Sequence, residues 1–342
     1  MIRRLVFLLL LAMAFAAGRA ADLPEALKKA RDLAAKNDFE GAAKILRTEA
    51  EHGDAEAANA LGELHLMGRG VKASPAEAMR WFQKAADAGH AVAIYNLAGL
   101  LSHGAEGVQK DEAKAKFLMR SAAEAGAADA QVTMGQAAEN TAAAKPGTPD
   151  YSEAREWYEK AAAQQHPSAL MALMRFSDAG YSGIPDPVKG SEYCRSAARV
   201  GSVVAMNEMG VRYQKGLGVP SDNVAAIGWF SLAAQHGLPA ALVNLGNCYE
   251  TGNGARQDFD IAGRNYAAAA KQNFAAGQYM LAKMIEEGKG TKPNLTHAYV
   301  LFTRAAAQKI DDAAKRAEAI KPKLSAAQLE EAGKLLKSGE LP

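Results

Sequence analysis

Apolar and small residues recur along the chain in one pattern, which is clearest in residues 203–238, VVAMNEMGVRYQKGLGVPSDNVAAIGWFSLAAQHGL. Ala205, Met209 and Tyr213 stand four residues apart, a spacing that places them on one face of a helix. A glycine turn, a helix-capping Asp, paired alanines and a final glycine follow. The pattern returns about every 36 residues over 57–306. It predicts helix-turn-helix repeats in series, each contacting mainly its neighbours.

The first helix of each of seven predicted repeats carries a small residue and, four positions later, a large apolar one. Small residues on this face allow a neighbouring helix to approach closely. A glycine then ends the helix in every repeat except the third, since a left-handed terminal residue is needed there. The seven pairs are Ala57/Leu61, Ala93/Leu97, Ala130/Met134, Ala169/Leu173, Ala205/Met209, Ala241/Leu245 and Gly277/Leu281, and the terminal glycines are Gly68, Gly104, Gly180, Gly216, Gly252 and Gly288.

The second helix of each repeat is predicted to begin after a residue that caps a helix N-terminus well. These residues are Ser74, Asp111, Asp150, Asp186, Asp222, Asp258 and Asn294. Glu77 and Gln328 stand three residues after Ser74 and Ser325, and both pairs predict capping boxes. A pair of alanines closes each second helix.

The repeats differ in length at one place only. The distance from each alanine pair to the next first helix is constant, so every insertion lies in the turn within a repeat. We therefore expect the turn between repeats to be tightly packed and the turn within repeats to face solvent, where extra length costs little. The longest of these, 139–149, is expected to be a polar loop that protrudes from the array.

The chain outside the repeats divides into three segments. Residues 21–53 predict a helix pair that caps the array at 54–309, and 310–342 predict C-terminal capping helices. Residues 1–20 combine Arg3 and Arg4 with an apolar run from Leu5 to Ala17, as a signal peptide does. A membrane anchor is the alternative, but the run is shorter than the ~20 residues that a spanning helix needs.

These features predict an exported protein, periplasmic or secreted, with no stable membrane insertion after cleavage. No cysteine follows the apolar run, which disfavours a lipid anchor. The predicted leader holds three of the 40 basic residues, so the remainder carries 37 against 38 acidic residues. A near-neutral chain without a basic block disfavours nucleic acid as a partner.

Candidate chemistry is sparse. Cys194 and Cys248 fall at packing positions two repeats apart, which predicts two buried thiols and no disulfide. The seven histidines form no helical zinc motif, and the GRGV, GLGVP and GNGA segments follow helices rather than strands, unlike phosphate-binding loops. We expect no catalytic residues, no metal and no cofactor.

The pattern A-x-x-x-L-G-x-x-Y-x-x-G-x-G-V, followed by a capped helix with paired alanines, resembles the Sel-one-like repeat, a relative of the tetratricopeptide repeat. Met209-Gly210, Tyr213, Gly216, Gly218-Val219, Asp222, Trp229, Ala233-Ala234 and Gly237 match it best. The third and fourth repeats depart most. The resemblance implies an all-α, α/α superhelical solenoid whose first helices line a concave face. It also implies an adaptor that organises protein complexes.

First-helix positions one before and two after the large residue should point away from the packed interior. They are largely polar, and an Asn side chain can both donate to and accept from an extended peptide. Any solvated helix face shares this composition, which is the alternative explanation. The candidate partner-binding residues are Asn96, Glu208, Arg212, Asn244, Asn247 and Lys283.

The predicted function is therefore an exported, non-catalytic scaffold that holds a peptide or partner segment in its groove. Two alternatives remain open. One is an envelope enzyme or cell-wall ligand protein related to β-lactams or peptidoglycan, although relatives linked to β-lactams carry a cysteine pair in each repeat. The other is a structural factor in surface polysaccharide assembly.

Overall fold

The computed structural model describes residues 24–145, 148–181 and 183–340. These residues form 18 α-helices and contain no β-strand, which confirms the predicted all-α repeat fold. The predicted signal peptide, 1–20, lies outside the described residues. None of the described helices combines the length and apolarity needed to cross a bilayer.

The chain forms two compact units that meet in sequence between Gln164 and Gln165, inside the predicted array. Within each unit, successive helices pack against one another in series. The N-terminal unit comprises α1 (Glu25–Ala35), α2 (Phe39–Glu51), α3 (Ala55–Met67), α4 (Pro75–Asp87), α5 (Ala91–His103), α6 (Glu112–Glu124), α7 (Ala128–Ala144) and α8 (Ser152–Ala163). The C-terminal unit comprises α9 (Pro167–Ala179), α10 (Pro187–Arg199), α11 (Val203–Lys215), α12 (Asn223–Gln235), α13 (Pro239–Thr251), α14 (Phe259–Lys271), α15 (Ala275–Glu287), α16 (Leu295–Ala307), α17 (Asp311–Ile320), a 3₁₀ turn (Lys321–Lys323) and α18 (Ala326–Ser338).

The second helices begin where the capping residues predict, with one exception. Six of the seven predicted residues stand at the N-cap and accept a backbone N–H. In the third repeat the N-cap is Tyr151, one residue later, and Asp150 accepts from the Ser152 amide instead. The Ser325–Gln328 capping box forms in full. At Ser74 only half of the predicted capping box forms. The Ser74 hydroxyl accepts from the Glu77 amide, but the Glu77 carboxylate pairs with Arg80 instead of the Ser74 amide.

The first helices end at their glycines. Gly216, for example, adopts φ 69° and ψ 31°, a left-handed conformation that is costly for other residues. The third repeat has no such glycine, and α7 extends to Ala144, giving 17 residues where the other first helices have 13. The prediction of a loop over 139–149 was therefore wrong for residues 139–144. Their alanine-rich sequence continues the helix because nothing stops it.

Glycines within the first helices lie against aromatic rings of the second helix of the same repeat. A Cβ built on Gly210 would lie 2.4 Å from the Phe230 ring, and one on Gly246 would lie 2.5 Å from the Tyr266 ring. The absence of a side chain thus allows the two helices to approach closely, as the sequence predicted. This approach offsets the ~1 kcal/mol that glycine costs in a helix relative to alanine.

The prediction about which turns are packed was wrong. Between repeats, a Cβ on Gly237 would meet nothing within 4 Å. Within repeats, a Cβ on Gly218 would lie 1.8 Å from the Pro187 carbonyl oxygen, at the start of the preceding second helix. The turn between repeats therefore has constant length because it joins two helices by the shortest route. The turn within repeats is anchored at its glycine, and in the second repeat the extra residue lies before that glycine, between Gly104 and Gly107.

Cys194 and Cys248 are both buried, as predicted, and both are free thiols. Burial raises the pKa of the Cys194 thiol to about 12. The Sγ atom of Cys194 donates to the Ala205 carbonyl at 3.4 Å. This cysteine behaves as a small core residue.

Candidate partner-binding surface

Four of the six candidate residues lie half-buried on the first helices of the C-terminal unit. Glu208 is on α11, Asn244 and Asn247 are on α13, and Lys283 is on α15. The large residues beside them, Met209 and others in register, point into the interior and are buried. Helical spacing therefore places the candidates on the side of each helix that the core does not occupy.

The two asparagines of α13 are held in fixed orientations by neighbouring helices. Asn244 Nδ2 donates to Asn207 Oδ1 of α11 at 2.9 Å. The Tyr266 hydroxyl of α14 lies 2.6 Å from Asn247 Oδ1 and 2.8 Å from Glu250 Oε2, so these two acceptors share its single proton. Within the described residues, the side-chain atoms Asn244 Oδ1 and Asn247 Nδ2 make no hydrogen bond. One acceptor and one donor are thus left, one helical turn apart, for an external ligand.

Asn96 occupies the same register position in the N-terminal unit, but it is only 9% exposed. Asn96 Nδ2 donates to Asn59 Oδ1 at 3.0 Å, and Asn59 Nδ2 donates to Glu63 Oε1 at 3.0 Å. Burial raises the pKa of the Glu63 carboxyl to about 7. These three residues form a buried polar layer between α3 and α5, so Asn96 links two repeats and offers little surface to a partner.

The prediction that Arg212 contacts a partner was wrong, because Arg212 is fully buried. Its guanidinium pairs with Asp178 on α9 and donates to Ser191 Oγ on α10 at 2.9 Å. Nε lies 3.7 Å from the Glu208 carboxylate, one turn earlier on α11. Arg212 therefore joins three helices from the interior and leaves no atom for a partner to contact. Arg212 stands three residues after Met209, at the register position that Phe176 and Cys248 occupy in the neighbouring repeats, so its burial follows the helical register.

The ion pairs around Arg212 change the interpretation of Glu208. The Glu208 side chain is 30% exposed, so a partner can reach it. Its carboxylate also forms an ion pair with Arg212. Burial raises the pKa values of Glu208 and Asp178, and the arginine charge acts in the opposite direction. Lys283 makes no ion pair or hydrogen bond within the described part of the chain. Its ammonium group is available to an acidic partner.

The sequence patterns did not predict one polar cluster in the C-terminal unit. The Tyr266 hydroxyl, whose single proton Asn247 and Glu250 share, lies 2.8 Å from Glu250. Lys289 Nζ lies 3.0 Å from Glu250 and 2.9 Å from Glu287. The third repeat contains the same tyrosine–glutamate contact. In the third repeat Tyr158 donates to Glu139 at 2.8 Å. In these two repeats a tyrosine replaces phenylalanine, and a glutamate stands five residues after the large apolar residue.

The described residues contain no group of three or more His, Cys, Asp or Glu side chains that could hold a metal ion. The polar clusters found here are hydrogen-bonded across helices. Their geometry suits positioning of helices and side chains.

The series of capped helix pairs defines a helical-repeat protein of the tetratricopeptide-like class. The chain belongs to the Sel1 repeat family, whose model matches residues 55–90, 91–126, 144–166, 203–238, 239–274 and 275–309, more than half of the sequence. The predicted family is thus confirmed. The segments between matches are the first helix of the third repeat and all of the fourth, the two repeats that depart most from the pattern.

Two solved structures with this fold are similar to the chain. A protective antigen of uropathogenic Escherichia coli strains is 26% identical with a TM-score of 0.74 over 88% of this chain and 64% of that protein. A Sel1 repeat protein from Oxalobacter formigenes is 26% identical with a TM-score of 0.60, over 86% and 90% respectively. The chain thus spans less than two thirds of the Escherichia coli protein. A search of curated proteins found no match.

The family and the fold define a Sel1-repeat helical scaffold. Such repeats generally mediate protein interactions, and members of the family are typically non-catalytic.

Proposed function

We propose that this protein is an exported, non-catalytic adaptor that holds an extended partner segment along α11, α13 and α15. The contact residues are Glu208, Asn244, Asn247 and Lys283. One observation carries the proposal: neighbouring helices hold Asn244 through its Nδ2 and Asn247 through its Oδ1, and Asn244 Oδ1 and Asn247 Nδ2 have no partner in the described chain. An amide fixed before binding loses little conformational freedom when it captures a peptide backbone.

The flanking charges favour a segment with mixed side chains. Glu208 lies one repeat before the asparagines and Lys283 one repeat after them. A bound segment that carries a basic residue near Glu208 and an acidic residue near Lys283 would complement both. This arrangement gives the segment a preferred direction along the helices.

The experiment is a pull-down from envelope extract with the chain that follows the leader. The variant Asn244→Ala/Asn247→Ala removes both free amides, and we expect it to lose the captured partner. Gln235→Ala/Gln272→Ala removes two exposed amides near the ends of α12 and α14 and is the matched control. Equal capture by both variants would rule out the asparagine site.

Export is part of the proposal and rests on the sequence of residues 1–20. Fractionation of the source cells, followed by N-terminal sequencing, should find a chain that begins near residue 21 outside the cytoplasm. A full-length chain in the cytoplasm would contradict this part alone and would leave the binding site to its own test.

A further inference from the structure

A cleft of about 690 Å³ opens in the C-terminal unit between α14, α15 and the start of α16. The large apolar residues that line it are Phe259, Leu281, Met284 and Ile285, of which Leu281 and Met284 are buried, and residues 289–294 of the turn line it as well. We call the four apolar residues its floor. The cleft lies on the edge that carries the turn within the seventh repeat. None of the four residues of the proposed adaptor site lines it, so it is a separate feature.

A single glycine keeps this cleft open. Gly263 lies in the interior of α14, where glycine is unfavourable for a helix. The same register position holds a side chain in every other repeat: Met79, Lys116, Arg155, Ser191, Ile227 and Tyr299. A Cβ on Gly263 would meet only Met284 Cε, at 3.7 Å, an ordinary contact. Packing therefore does not require glycine here, and a larger side chain would extend into the cleft.

The rim of the cleft carries an excess of uncompensated positive charge. Arg264 and Lys292 line it and are exposed, and within the described residues neither has an ion-pair partner. Lys289 is already paired with Glu250 and Glu287. Asp260 is the acidic residue among those that line the cleft. An occupant with carboxylates beside an apolar group would complement both the rim and the floor.

We infer that this cleft binds a peptide segment in which a large apolar residue is flanked by acidic residues. The apolar side chain enters over Met284 at the space left by Gly263. The flanking carboxylates reach Arg264 and Lys292. The inference goes beyond the adaptor site, since it uses other helices and recognises side chains rather than a peptide backbone.

Fluorescence anisotropy of the full chain with labelled peptides tests the inference. The probe is fluorescein-Gly-Ser-Glu-Phe-Glu-Ser-Gly, and the matched peptides replace both Glu with Lys or replace Phe with Gly. We expect saturable binding of the first peptide and binding weaker by about tenfold or more for each of the others. No saturation by the first peptide, or equal binding of all three, would overturn the inference.

Gly263→Ile places the side chain of Ile227 in the cleft and should abolish peptide binding. Gly228→Ile makes the same change inside α12, where a Cβ meets nothing within 4 Å, and it should bind normally. Circular dichroism and the melting temperature verify that both variants fold. If Gly263→Ile binds the peptide as well as the parent does, the cleft is not the site.

A charge reversal gives a second, independent measurement. Arg264→Glu/Lys292→Glu should lose the Glu-flanked peptide and gain the Lys-flanked one. Asn244→Ala/Asn247→Ala should leave binding of the Glu-flanked peptide unchanged, which separates failure of the cleft from failure of the adaptor site. Sedimentation must also show a monomer, because a dimer that Gly263→Ile disperses would identify a second copy of the chain as the occupant and overturn the peptide assignment.

Discussion

The buried carboxyl of Glu63 should make the stability of the protein depend on pH in a specific way. Glu63 is 6% exposed, and its removal from water is the largest cause that raises its pKa from 4.5 to about 7. The Glu56 carboxylate raises it further. Hydrogen bonds from Asn59 and Asn96 and the charge of His90 act in the opposite direction.

The native state therefore holds the Glu63 proton more tightly than the unfolded chain does. Raising the pH from about 4.5 through about 7 ionises the residue and lowers the free energy of unfolding. Each pKa unit corresponds to 1.36 kcal/mol, so ionisation costs roughly 3 kcal/mol once the pH exceeds the native pKa. Below the unfolded value the cost disappears.

Glu63→Gln tests this reasoning, because the amide resembles the protonated acid and cannot ionise. Urea unfolding of the variant and the parent should be followed between pH 4 and pH 9. We expect the variant to match the parent near pH 4 and to exceed it by roughly 3 kcal/mol above pH 8. The difference between their free energies of unfolding removes the pH dependence of the titratable groups that both proteins contain. A difference that stays constant with pH would refute the assignment of a raised pKa to Glu63.

Three further predictions address the core. Arg212→Met should lower the free energy of unfolding by about 3 kcal/mol in urea, because it leaves the Asp178 carboxylate without its cation; a loss below 1 kcal/mol would contradict the structural role. Gly246→Ala should destabilise the protein by about 1–3 kcal/mol, since its Cβ would lie 2.5 Å from an aromatic ring. Gly228→Ala should stabilise the protein by up to about 1 kcal/mol, because its Cβ meets nothing within 4 Å and alanine favours a helix. Melting temperatures of the two variants that move in the same direction would refute this. Cys194 should resist a thiol reagent at pH 8 until urea unfolds the chain, because burial raises its pKa to about 12, and labelling in the native state would contradict the burial.

The helices and their ends were predicted well because their causes are local. A capping side chain satisfies an amide two or three residues away, and a terminal glycine acts on its own backbone. The extension of α7 follows the same rule, since a helix without a stop signal continues. The sequence contained that information, since residues 139–144 include neither glycine nor proline.

The candidate site was predicted less well because its outcome depends on partners about 34–37 residues away. Asn96 and Asn244 occupy the same register position and bond to the same residue type in the preceding repeat. Yet one is buried beside a carboxyl and the other is half-exposed. The tyrosine–glutamate contacts are only partly visible in the sequence, since the seventh repeat has a glutamate, Glu286, at the same position but Phe302 in place of the tyrosine.

The sequence alone determined the repeat, the family and the helix boundaries outside the third repeat, because the period, the caps and the turn glycines are set by residues close together in the chain. The tertiary structure alone decided which residues pair with Arg212, which turns are packed, and that Gly263 lines a cleft. Each of these depends on what a neighbouring helix places against the residue. Helical periodicity specifies the direction of a side chain, but the surrounding helices determine whether it meets water, a charge or an empty space.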